Sequence, residues 1–180
     1  MKKSVIFLVT VVMIFLLVLL GLVLTYNSMV SKDQAVKEGW SNIQVQYQRR
    51  IDLIPQVISA VNSSMTFERD LLENITVLRT QWLDSISGNI PVNVNTTQQL
   101  DARINALLIA INENYPELKS VEVVRDFITV VEGTENRIAA ERIFYNDAVR
   151  SYNTAINSFP GNLVAGMFGF EDAPYYELGQ

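Results

Sequence analysis

The sequence predicts an all-α fold: an N-terminal transmembrane helix that continues into an antiparallel, up-and-down four-helix bundle with long first and last helices. Three observations predict it. Val5 to Leu24 is apolar apart from Thr10 and Gly21, and about 20 residues of helix span a bilayer core of about 30 Å. From Trp40 onward apolar residues recur in steps of three and four, the spacing of one helix face. The connections between these stretches are short, which makes neighbouring helices antiparallel.

The apolar segment reads as a retained anchor, residues 1–25, rather than a cleaved signal. TYNSMVSK after it offers no good small-x-small cleavage site, and a chain without cysteine has no lipoprotein anchor. Lys2 and Lys3 hold the N-terminus in the cytoplasm by the positive-inside rule and put the bundle outside; Lys32 and Lys37 on the other flank make the bias slight. The helical pattern hardly pauses after the span, so Asn27 to about Asn62 continues the anchor helix into solvent. Its seam is Trp40, Ile43, Tyr47, Arg50, Ile54, Val57 and Val61. Gly39 weakens this helix, and Pro55 frees the carbonyl of Ile51 and should kink it.

Asn62-Ser63-Ser64 reads as a turn, and a second helix to about Ile86 carries Glu68, Leu72, Ile75, Arg79, Trp82 and Ile86 on one stripe. Ser87 to Thr97, with a glycine, a proline and three asparagines, reads as a loop. A third helix faces Leu100, Ile104, Leu107 and Ile111 inward and ends near Asn114-Tyr115-Pro116. The fourth, about Ser120 to Asn157, has the cleanest stripe: Val121, Val124, Ile128, Val131, Glu135, Ile138, Arg142, Tyr145, Val149, Tyr152 and Ile156. A seven-residue repeat of that length implies left-handed supercoiling against neighbours. Pro160-Gly161 stops it. The chain thus divides into an anchor (1–25), a helical bundle domain (26–158) and an apolar C-terminal tail (159–180) packed on the bundle or at the membrane.

Arg50 is the misfit on the first seam. A guanidinium keeps its proton, so in a core it must find an anion or water. Counting about 1.5 Å per residue from the turns puts Arg50 and Arg79 at one height, with Glu135 within a turn of them. Arg50, Arg79, Glu135 and Arg142 therefore form a candidate structural polar network, of the kind that fixes helix register. With more arginines than carboxylates, the layer is expected to be partly wet or completed by a further anion. In the tail, Leu163, Val164, Met167, Phe168 and Phe170 are too apolar for an exposed terminus and too short to span a membrane, which makes them interaction candidates.

Composition excludes several functions. There is no histidine and no cysteine among the 180 residues, which removes common general bases, thiol nucleophiles and the usual zinc ligands. The only Glu-x-x-Glu, Glu132 to Glu135, is interrupted by Gly133 and lacks the histidines of a di-iron bundle. No phosphate-binding glycine loop or nucleophile elbow occurs. No catalytic residue, metal site or cofactor is expected. With Lys2 and Lys3 set aside, 12 basic residues face 19 acidic ones, a net charge of −7 that disfavours nucleic acid.

Long stretches resemble the LemA family of single-pass bacterial membrane proteins: Tyr26-Asn27 with Val30, WSNIQVQYQRRIDLIPQVI from Trp40, Phe67-Glu68, TVLR from Thr76, ENRIAAERIFYNDAVRSYN from Glu135, and FPGNLVAGMFGFEDAPYYEL from Phe159. Members often carry a histidine where Phe67 stands. The resemblance implies an N-terminal membrane anchor and a long-helix bundle; some members are associated with membrane proteases or with the building of magnetosome membranes. The expected function is a non-enzymatic, membrane-anchored scaffold or adaptor for other membrane proteins. The alternatives are a self-assembling protein that organises or shapes membrane, and an unrecognised hydrolase or ligand-binding protein. Expected partners are the lipid bilayer, through residues 5–24, and further copies of the chain or other membrane proteins.

Overall fold

The computed structural model describes residues 2–62, 69–87 and 94–176. They form α1 (Lys2–Asn62), α2 (Arg69–Ser87), α3 (Val94–Glu113), a 3₁₀ turn (Pro116–Ser120), α4 (Glu122–Asn157) and α5 (Gly161–Phe168), with no strand among them. The apolar N-terminal segment continues without a break into the rest of α1, and Pro55 lies inside α1 without ending it. The turn residues Ser63 and Ser64, the pair Phe67-Glu68 and residues 88–93 of the predicted loop lie outside the described residues. The loop is shorter than its composition suggests, because Val94 to Thr97 already belong to α3. Thr97 is fully buried and its hydroxyl is bonded to that of Tyr176 at 2.8 Å, which fixes the first turn of the helix.

The chain forms two compact units, to both of which α1 and α4 contribute. One comprises Met1–Ser41 with Ile143–Tyr175. Its N-terminal stretch exposes every large apolar side chain from Val5 to Leu20 and is long and apolar enough to cross a membrane. Further along α1, Met29 and Val36 are buried, as are Val149, Tyr152 and Ile156 of α4. Gly39 lies where a Cβ would come 3.2 Å from Tyr145 Cα, so its lack of a side chain is what allows the two backbones to approach. Trp40 sets its ring 5.6 Å from that of Tyr145.

Residues 159–175 of the tail belong to the same unit, and sequence patterning alone missed their helix. After a cis Phe159-Pro160 bond, Pro160 caps α5, and Gly169 closes it in the left-handed region at φ 74° and ψ 35°. Val164 and Ala165 are buried. Gly161 is buried against α4, where a Cβ would collide with the Ala155 carbonyl oxygen and the Met29 methyl. The following segment is strapped along α4. Asn153 Nδ2 donates to the Ala173 carbonyl while its Oδ1 accepts the Ala173 N–H, both at 2.9 Å. Tyr145 donates its hydroxyl to the Pro174 carbonyl, and Asn157 Nδ2 donates to Asp172.

The other unit comprises Asn42–Arg142 with Tyr176–Gln180. Its apolar core draws on Ile43, Ile51, Ile54, Val57 and Val61 of α1, Ile75 and Trp82 of α2, Leu100, Ile104, Leu107 and Ile111 of α3, and Val124 and Val131 of α4. Burial of such side chains stabilises by about 25 cal/mol for each Å² of apolar surface taken out of water and is the main force holding the helices together. The stripe on α4 differs from the predicted one in the middle. Phe127 and Thr134 are the buried residues, one position before the expected Ile128 and Glu135. A 3.6-residue helix drifts about 20° per heptad against a strict seven-residue repeat, and here that drift turns Glu135 to the flank.

Candidate functional site

Within this second unit the misfit Arg50 becomes the centre of a charged cluster. Its position between Tyr47 and Ile54 on the inward face of α1 leaves it 1% exposed. Four of its five N–H donors are taken by protein groups. Nε donates to Thr134 Oγ1 at 2.6 Å, and Nη1 to Asp101 Oδ1 at 3.0 Å. Nη2 donates to Glu135 Oε2 at 2.7 Å and to the Val131 carbonyl at 3.1 Å. Thr134 relays its own hydroxyl proton to the carbonyls of Val130 and Val131, 2.7 and 3.1 Å away.

Asp101 on α3 is the carboxylate that sequence reasoning missed. One oxygen accepts from Arg50; the other accepts from Arg142 Nη2 at 2.7 Å and from the Tyr47 hydroxyl at 2.5 Å. The further anion expected from the charge count is thus an aspartate of the chain itself. It follows Leu100, and extending the height count to the third helix would have found it. Arg142 also donates to the Tyr47 oxygen and lies over the Tyr176 ring, 4.6 Å from its centre.

The electrostatics follow from this geometry. Burial, then the charge of Asp101 and the neighbouring Tyr176, push the Tyr47 hydroxyl well above the ordinary tyrosine value, so it stays a donor. For Arg142, burial alone would lower the pKa, but Tyr47, Tyr176 and Asp101 raise it overall. Asp101 and Glu135 balance Arg50 and Arg142 in charge. Asp101 keeps 22% of its side chain exposed and Glu135 61%, so the second carboxylate is a rim partner.

Of the four residues expected in the network, the structure brings together Arg50 and Glu135 directly, and Arg142 through Asp101. Arg79 does not join them. It lies half-buried on α2, its Nε enclosed without a hydrogen-bond partner among the described residues, while α3 and not α2 supplies the bridging anion. Of the interaction candidates, Val164 is fully buried and Phe170 half-buried, whereas Leu163, Met167 and Phe168 are 56%, 70% and 59% exposed. They belong to the first unit. Among the described residues no three His, Cys, Asp or Glu side chains are grouped as metal ligands would be.

The sequence model of the LemA family matches residues 39–180, and so takes in every member of this cluster. Among curated proteins, magnetosome protein MamQ 2 of Paramagnetospirillum magneticum is 26% identical over 87% of the chain. Magnetosome protein MamQ of Magnetospirillum gryphiswaldense is 24% identical over 86%. Protein LemA of Metamycoplasma hominis is 27% identical over 77%. The chain spans 66%, 65% and 63% of the length of these three relatives, slightly under two thirds.

Proposed function

Because the chain belongs to the LemA family, we propose that it is a non-enzymatic, membrane-anchored helical protein that serves as a scaffold or adaptor for other membrane proteins. The mutual charge pairing within the arginine cluster carries this reading. Arg50 spends its donors on Thr134, Val131, Glu135 and Asp101, and Asp101 is in turn shared with Arg142 and Tyr47. Groups that satisfy one another in this way hold helices in register rather than turn over a substrate. In this reading α1 to α4 are arranged as an antiparallel bundle outside the cytoplasm, and the bundle meets its partners or further copies of itself through exposed surface.

Crosslinking of the full chain in native membranes, followed by pull-down, tests the adaptor role. Recovery of a reproducible set of other membrane proteins supports it, and recovery of the chain alone or uncrosslinked overturns it. A second reading, self-assembly that organises membrane, is favoured by the relatives named as magnetosome proteins. The mass of the detergent-extracted particle separates the two, since a large symmetric assembly supports the second.

A further inference from the structure

The apolar face that α5 leaves uncovered lies beside the end of the membrane span. We infer that α5 is an interfacial foot, seated in the headgroup and acyl boundary of the leaflet that α1 leaves, and that lipid covers Phe159, Leu163, Met167 and Phe168. The inference rests on α1 spanning the bilayer and is independent of any adaptor role.

Two faces of α5 differ in what they touch. Gly161, Val164 and Ala165 are buried within the unit, whereas Leu163, Met167 and Phe168 are 56%, 70% and 59% exposed and Phe159, just before the helix, is 80% exposed. The helix carries no charged residue. Four large apolar side chains along an eight-residue helix and its lead-in form a surface that is unfavourable to leave in water.

The position of this face identifies what covers it. The apolar run of α1 ends at Leu24, and Tyr26, two residues on, sets its ring 4.7 Å from Phe168 and 5.7 Å from Phe170. At about 1.5 Å per residue, Tyr26 stands about 3 Å past the end of the run. Leu24 and Thr25 also share a surface groove with Phe159 and Pro160. Exposed aromatic and aliphatic groups at this height continue the lipid-facing surface of the span. Tyr26, Phe168 and Phe170 form an aromatic group where such residues gather at bilayer interfaces. The first charges after α5, Glu171 and Asp172, are acidic and exposed. Contact with lipid is therefore apolar, requires no anionic headgroup and withstands salt.

The chain has no cysteine, so single nitroxide labels can be placed at Leu163→Cys and Met167→Cys in the full chain, reconstituted in pure phosphatidylcholine vesicles. Leu16→Cys in the span and Arg150→Cys on the exposed face of α4 serve as references. The ratio of oxygen to polar nickel-complex accessibility reports depth. Labels at 163 and 167 are expected to show a ratio severalfold above that at 150, approaching that at 16 and unchanged in high salt. A ratio at 163 and 167 equal to that at 150, with 16 still lipid-embedded, overturns the foot and leaves the anchor standing. Water exposure at 16 as well overturns the anchor itself. Dipolar broadening at 163 or 167 that disappears on dilution with unlabelled chain would mean that a second copy, not lipid, covers the face, and would also overturn the proposal.

Discussion

Asp101 accepts from two arginines and a tyrosine, so its removal costs more than that of any other carboxylate in the cluster. Breaking a buried pair from one side leaves an uncompensated charge, and Asp101→Asn is expected to destabilise the full chain by about 3 kcal/mol. Glu135→Gln, whose side chain is 61% exposed, should cost about 1 kcal/mol or less. Urea unfolding of both variants in detergent checks the order; equal losses would remove the central role of Asp101. The tyrosines give a pH dependence. Tyr47, Tyr145 and Tyr152 all have raised hydroxyl pKa values, burial being the first cause in each. Below the unfolded tyrosine value of about 10 this contribution is fully present, and it is lost as pH rises towards the folded values. The melting temperature should therefore fall above about pH 10, less steeply in Tyr47→Phe. A melt series from pH 8 to 11 reads the slopes. At this scale the sequence revealed Arg50 as an anomaly and Glu135 as a partner, because both break an apolar stripe. It hid Asp101, which sits beside its stripe rather than on it, and Thr134, which looks like any polar helix residue.

Among the elements, α1, α2 and α4 were legible because their apolar stripes are long. The 3₁₀ turn and α5 were not, since a single turn and an eight-residue helix hold too few periods to declare themselves, and an apolar run of that length reads equally as tail. What holds the tail is specific. Asn153 donates to and accepts from Ala173, and its loss removes two hydrogen bonds worth about 1 kcal/mol each. Asn153→Ala is expected to speed proteolytic clipping between Phe170 and Tyr175 severalfold, while the far-ultraviolet helix signal changes little. Gly161→Ala drives a methyl into the Ala155 carbonyl, whereas a Cβ at Gly166 meets nothing within 4 Å. The first substitution should unseat α5 and the second leave it in place, as hydrogen exchange across Asn162 to Phe168 would show.

For the molecule as a whole, orientation is the property most open to change. The apolar segment proposed to span the membrane is flanked by Lys2 and Lys3 on one side and by Lys32 and Lys37 on the other, so the positive-inside bias is narrow. A C-terminal tag on the wild-type chain should be removed by protease added to intact cells, and replacing Lys2 and Lys3 with glutamine should protect a substantial fraction of it. Protection of the wild-type tag would reverse the assignment. One consequence of the shared aspartate concerns folding rather than stability. If α3 docked one turn out of step, a displacement of about 5.4 Å, Asp101 would move beyond reach of both Arg50 and Arg142 together, leaving Arg142 without its carboxylate and Arg50 with Glu135 alone. Apolar side chains of similar size forgive such a slip; this arrangement does not, and a single carboxylate thereby proofreads the alignment of three helices.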